Sequence, residues 1–274
     1  MYNFLPELEL FRNENYVAPV DCTRKEELEL LIDYIKIAYE DATQHLESLL
    51  QSRQITYDLL WALFRPNTRV YTKCPATHSP RCVRYESGEE ARTESGSKYW
   101  RMECRYLDFD GSDFGEAATE LRIPKFRGVR QIDSLAAFPI EYHPNATAVK
   151  ADLFECGRKF VRWMGTHHRY YKGQAFFMDE GKPVGVAVDS RIMIDAAFFQ
   201  NMNPNYSKPK ANEDNAGPIS LFSLLRPFQW QPEQVRSTGM DPADLTEDDL
   251  LICCPTVRGF SFSNKLWGET YPLY

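Results

Sequence analysis

The sequence predicts an α+β fold, a mostly antiparallel, β-rich domain with flanking helices and a long N-terminal amphipathic helix. Three observations lead there. Helical periodicity dominates residues 23–52, and segments rich in β-branched and aromatic residues, separated by short turn signals, fill the middle of the chain. Strand and helix patterns do not alternate in the regular way that a doubly wound parallel sheet needs.

Thr23-Arg-Lys-Glu26 has the spacing of a capping box, in which a hydroxyl and a carboxylate satisfy orphan backbone N–H groups. Leu28, Leu31, Ile35, Ala38, Ala42, Leu46 and Leu49 follow at three- and four-residue steps. That is one apolar stripe on roughly 40 Å of helix. Glu26, Glu27, Glu29, Asp33, Lys36, Glu40 and Asp41 keep the other faces wet. Such a helix either packs along its own domain or docks, and helix 23–52 is the expected route to a homo-oligomer or partner. Thr56 is placed to cap a shorter helix over Tyr57–Phe64, ended by Pro66-Asn67. Arg69–Cys74, Cys82–Glu86, Lys98–Asp108 and Gly115–Ile123 read as strands, with Asp110-Gly111 as a hairpin turn. Thr147–Trp163 reads as a helix closed near Gly165, and Tyr170–Met178 and Val184–Ile194 as strands joined at Gly181-Lys-Pro183. Residues 200–218 form a polar loop and 232–250 an acidic connector, within which Thr246-Glu-Asp-Asp249 begins a helix. The expected division is an N-terminal arm, 1–55, and an α+β domain of unknown function, 56–270.

The composition sets the class. The chain has 274 residues, 43% hydrophobic and 14% aromatic, enough to bury a sizeable core. With 32 basic and 39 acidic residues the net charge is −7, which opposes general attraction to nucleic acid or anionic membrane. No run is long and apolar enough to span a bilayer. Residues 1–10 carry Glu7 and Glu9 with no basic n-region, so the expected location is cytoplasmic or nuclear rather than secreted. Seven cysteines, an odd number, suggest reduced thiols rather than a disulfide framework.

Chemical motifs are sparse. No Gly-x-x-x-x-Gly-Lys-Ser/Thr or Gly-x-Gly-x-x-Gly stretch exists, so ATP binding by a phosphate loop is not expected. Cys74, His78 and Cys82 follow a Cys-x3-His-x3-Cys spacing, with Cys104 a candidate fourth ligand. Spacing alone leaves zinc open beside the simpler reading of buried thiols and an exposed loop histidine. Asp108, Asp110 and Asp113 fit a hairpin turn better than a calcium loop. Asp189, Ser190 and a histidine can be assembled into a triad only on paper. No catalytic residue and no cofactor is assigned.

The most suggestive stretch is 156–178, which holds Arg158, Lys159, Arg162, Arg169 and Lys172, His167 and His168, and no acid. Phe160, Trp163, Tyr170, Tyr171, Phe176 and Phe177 interleave with them. Cations beside aromatics are what a single-strand nucleic-acid groove uses for phosphate attraction and base stacking. Arg158, Arg162, His167, His168, Arg169, Tyr170 and Lys172 are the candidate partner-binding residues. In the structural alternative the aromatics face the core and the cations pair with carboxylates. Tyr170 and Lys172 are expected outward, Tyr171 inward, with one histidine bonded to backbone. A second basic run is Arg122, Lys125, Arg127 and Arg130.

A series of phrases adds a resemblance. They are Leu60-Trp-Ala-Leu-Phe-Arg-Pro-Asn67, Cys104-Arg-Tyr-Leu-Asp-Phe-Asp-Gly111, Phe138-Pro-Ile-Glu-Tyr-His-Pro-Asn145, His167-His-Arg-Tyr-Tyr-Lys-Gly173, Ser190–Phe199, Asn203-Pro-Asn-Tyr206 and Leu250–Phe262. In this order the chain resembles, over roughly 56–268, the uncharacterised domain preceding the ATPase core in a family of fungal AAA+ ATPase-like proteins. The resemblance implies a non-catalytic N-terminal domain that recruits a protein substrate or partner. In that family the ATPase module lies downstream, and Tyr274 comes about where the linker to it would begin, so this chain is expected to lack the motor. The alternative is a single-stranded nucleic-acid-binding module using 156–178.

Overall fold

The computed structural model describes residues 2–14, 22–179, 182–202, 236–237 and 244–272. A 3-10 turn, Tyr2–Phe4, leads into helices α1 (Leu5–Glu14), α2 (Cys22–Ala38) and α3 (Glu40–Gln51). The single long amphipathic helix expected over 23–52 is therefore corrected to two helices meeting at Tyr39, which has φ −115° and ψ 14°. An aromatic cluster accounts for the break. The Tyr39 ring packs 5.3 Å from that of Tyr2 and 5.5 Å from that of Trp61. The Thr43 hydroxyl donates to the Tyr39 carbonyl at 2.8 Å.

The expected stripe also changes. Helix α2 buries Ile32 and Ile35, and α3 buries Leu46, but Leu31 and Ala38 are exposed. Leu30, Tyr34 and Ile37, spaced i, i+4 and i+7, share a second side of α2 that faces solvent. Helix α2 is thus apolar on two sides, which a single-stripe reading cannot separate.

A short strand β1 (Gln54–Thr56), a 3-10 turn (Tyr57–Leu59) and helix α4 (Leu60–Leu63) follow. Asn67 takes φ 66° and turns the chain into a meander of β2 (Arg69–Lys73), β3 (Pro80–Arg92), β4 (Lys98–Phe109) and β5 (Phe114–Pro124). The hairpin at Asp110-Gly111 forms as expected. The Asp110 carboxylate accepts the backbone N–H groups of Ser112 and Asp113 at 2.9 and 2.8 Å. Gly111 has φ 106°, and a Cβ there would also collide with Ala197.

Strands β6 (Val129–Gln131) and β7 (Phe138–Pro139) precede helix α5 (Ala146–Arg162) and the hairpin of β8 (His167–Asp179) and β9 (Lys182–Ile194). Helix α6 (Ala196–Met202), strand β10 (Arg236–Ser237), helix α7 (Glu247–Leu251) and the hairpin of β11 (Thr256–Ser261) and β12 (Leu266–Pro272) complete the described chain. Thr246 caps α7 in a reciprocal box with Asp249. Residues 203–218 of the expected polar loop, most of the connector before Asp244, and Gly181 of the expected turn lie outside the described residues.

Two β layers result. One is a six-stranded antiparallel sheet, order β10-β5-β4-β3-β2-β7, and the other a closed barrel, β11-β12-β8-β9. Strand β1 pairs separately with β6. A continuous core joins Val70, Val83, Met102 and Leu107 of the sheet to Leu153 and Phe160 of α5 and to Val188 and Ile192 of the barrel. The layers are stitched at Leu107. Its N–H donates to the Ile252 carbonyl at 2.9 Å, and its carbonyl accepts the Cys254 N–H at 2.8 Å. Beside this stitch the Arg258 guanidinium of β11 grips the Asp108 carboxylate of β4 at 2.6 Å and the Phe109 carbonyl at 2.8 Å.

Gly157 of α5 lies against the Leu250 carbonyl of α7, where a Cβ would overlap backbone. Gly157→Ala should therefore destabilise the chain by about 1–3 kcal/mol despite the better helix propensity of alanine, as read by urea denaturation. Burial pushes the Cys82 and Cys104 thiols, and the Tyr57 hydroxyl, up to about 12. The native state thus holds protons that the unfolded chain releases from about pH 8.5 upward. The stability contributed by these neutral groups is complete below that pH and lost as pH climbs toward about 12. The urea midpoint should fall between about pH 8 and about pH 10.5, and fall less in a C82A/C104A variant.

Candidate functional site

The proposed partner-binding residues lie on the end of α5 and the outer wall of the barrel. Helix α5 ends at Arg162, and Gly165 takes φ 90° to release the chain into β8. The strand begins at His167, ahead of the expected start at Tyr170, so both histidines belong to β8. Alternation then sets the faces. Tyr170 is 68% exposed, while Tyr171 is half-buried and Ala175 buried, as expected for the two sides of this strand. His167 Nε2 lies 2.9 Å from the Met164 carbonyl, and the His168 ring is exposed.

Trp163 gathers three of the seven residues. The guanidinium of Arg169 lies 4.8 Å, and that of Arg162 5.8 Å, from its ring centroid, and His167 meets it edge-on at 5.3 Å. Two others are neutralised. Arg158 pairs with Glu155 at 3.4 Å and lies over Phe154. Lys172 pairs with Asp189 at 3.0 Å, and the Tyr170 hydroxyl donates to the same carboxylate. Those two hydrogen bonds hold the Asp189 carboxyl below its ordinary range.

What remains is an open groove of about 620 Å³ lined by His168, Arg169, Tyr170, Arg191 and Phe262. Arg191 sits opposite Tyr170 in the β8–β9 register, and the Phe262 N–H donates to the Arg191 carbonyl at 3.3 Å. Neither Arg169 nor Arg191 has a carboxylate partner among the described residues. Arg191 and Phe262 escaped the reading of 156–178 because they arrive from β9 and from the end of β11. Only strand pairing brings them there. The second basic run is partly absorbed: Arg122 pairs with Glu120 and Lys125 with Glu90.

The other constellations do not converge. Cys74, Cys82 and Cys104 are buried free thiols and His78 is exposed at φ 56°. Among the described residues no three His, Cys, Asp or Glu side chains are grouped to hold a metal. The Ser190 hydroxyl bonds to the Arg191 carbonyl, Ser261 and Ser263, and to neither histidine. No helix among the described residues is long and apolar enough to cross a membrane.

The first helices carry a second surface. Phe4, Leu10 and Phe11 are exposed, as is the outer stripe of α2, where Leu30 is 70% and Ile37 75% exposed. Lys36 pairs with Glu9 at 2.7 Å and ties α1 to α2.

No curated protein and no solved structure matches the chain. Residues 45–144, from within α3 to the segment before α5, match the family described as a domain of unknown function, DUF7025.

Proposed function

We infer that the chain is a non-catalytic recruiting domain, of the kind that precedes the ATPase core in AAA+ ATPase-like proteins, and that it captures a partner protein on the outer face of α1 and α2. One observation carries this reading: Leu30, Tyr34 and Ile37 form an apolar stripe turned to solvent on a helix whose other side is packed in the protein. Contiguous exposed apolar surface with a polar rim marks interaction sites. Here the rim is acidic, with Glu26, Glu27 and Asp33 all exposed beside the stripe. The complementary partner presents apolar residues flanked by Lys or Arg, laid along the stripe as a helix in a groove.

The test is binding of a labelled helical peptide with a Leu stripe and Lys flanks, beside a twin with Glu flanks. The Lys peptide should bind and the Glu peptide should bind at least tenfold more weakly, because like charges face the rim. L30D/I37D should abolish binding with a change in stability of no more than about 0.5 kcal/mol, since both sites are exposed. Ile35 is unsuitable for this purpose because it is buried. Equal binding of both peptides, or a variant that binds normally, would overturn the reading.

A second reading rests on the barrel groove, where two exposed aromatics, Tyr170 and Phe262, flank two arginines without carboxylate partners. A single strand laid there would stack bases on the rings and place phosphates on Arg169 and Arg191. Oligonucleotide affinity should then fall steeply with salt. R169E/R191E should weaken it across sequences and reduce the salt slope by about 2 while the protein stays folded. Affinity that ignores salt, or a slope unchanged in the variant, rejects this use of the groove.

A further inference from the structure

At the stitched seam between sheet and barrel lies a cleft of about 290 Å³, which shares Trp163 with the cation cluster at the end of α5. Its walls come from the β2–β3 turn, β4, the end of α5, the start of α6 and the 254–258 segment. The volume is at the lower end of that of small-molecule sites, which lie preferentially between structural units. Phe160, Trp163, Met164, Ile194 and Val257 give it an apolar lining.

Two arginines line the cavity, and they differ in state. Arg258 is committed: both guanidinium nitrogens reach Asp108, and one also donates to the Phe109 carbonyl. Asp108 is committed in turn, since it also accepts the Phe109 N–H at 2.9 Å. Arg81 is different. Its guanidinium stacks 4.2 Å from the Tyr106 ring centroid and has no ion pair among the described residues. A guanidinium that lines a cleft without a carboxylate of its own is a ready anchor for an anion from outside the chain. Asp108 is taken up by Arg258, and the other two titratable neighbours do not offset the cation. Burial pushes up the Tyr106 hydroxyl and the Cys254 thiol, so both stay neutral.

We propose that the seam cavity binds a small monoanionic carboxylate with an apolar or aromatic body, its carboxylate on Arg81 and its body against Trp163 and Phe160. One planar guanidinium matches a carboxylate in a bidentate fork. A phosphate dianion fits poorly. Among the described lining residues no glycine-rich turn supplies a nest of N–H groups, and Arg81 alone is left to match a negative charge because Arg258 is already paired with Asp108. A neutral or cationic molecule would leave the Arg81 charge uncompensated in a desolvated site.

Phenylacetate is the probe, with phenylacetamide as its neutral counterpart and phenyl phosphate as the dianion, titrated into the full chain by calorimetry. Phenylacetate should bind, and the other two at least tenfold more weakly. R81Q should remove the preference for the carboxylate. Because R81Q alters a core-lining site, A76F provides the second variant. Ala76 lies in the turn at the cavity wall, and a larger side chain there should block binding while circular dichroism and the melting curve stay those of the parent. The proposal is overturned if phenylacetate does not bind at millimolar concentration, if the amide binds equally well, or if A76F folds and still binds.

Discussion

The Asp108–Arg258 ion pair is the constraint on which the arrangement of the two β layers depends. Asp108 is 4% and Arg258 15% exposed at the side chain, and 150 positions separate them in sequence. Taking two charges out of water is expensive, and only close, multiply bonded geometry offsets it. Here the guanidinium fork bridges the carboxylate and a neighbouring carbonyl, and Phe199 lies against it. The pair tolerates little sliding between β4 and β11, so it sets the register in which the barrel meets the sheet. The Leu107 bonds to Ile252 and Cys254 act in the same place. Everything at the seam follows: where the end of α5 comes to rest, which side of Trp163 is covered, and how large a space is left above Tyr106.

The barrel shows how pairing redistributes a run of like charges. In sequence, five cations of 156–178 look like a single patch. In the structure, helix geometry gives Arg158 to Glu155, and strand register gives Lys172 to Asp189. The arginines left without a carboxylate among the described residues are held over Trp163 or beside Tyr170, where the desolvation cost is lower than in a dry core. A local charge count therefore overstates the field of this segment, while the groove gains Arg191 and Phe262 from elsewhere.

Helix α2 illustrates a different limit. A helix with one apolar stripe is explained by burial in its own domain, but α2 has two, and only one can face the core. Burying Ile32 and Ile35 leaves Leu30, Tyr34 and Ile37 opposite. Glu26, Glu27 and Asp33, among the acids expected to keep the helix wet, line the borders of that second stripe, so they shape its surroundings rather than cover it.

Much of the fold was legible in the sequence, because its signals are local. Four meander strands, the Asp110-Gly111 hairpin, helix α5 and its glycine-closed end, the β8–β9 hairpin and the Thr246 cap all rest on periodicity or turn chemistry within a few residues. The inward and outward faces of β8 could likewise be read from alternation alone. The break at Tyr39 could not, since it depends on Tyr2 and Trp61, far along the chain. Nor could the β11–β12 hairpin, whose short strands bury their sides only once β8 and β9 stand beside them. The groove and the seam cavity belong to the same class. The residue types were visible in the chain, but which cation meets a carboxylate and which is left without one is a matter of distance, decided when separate elements pack together.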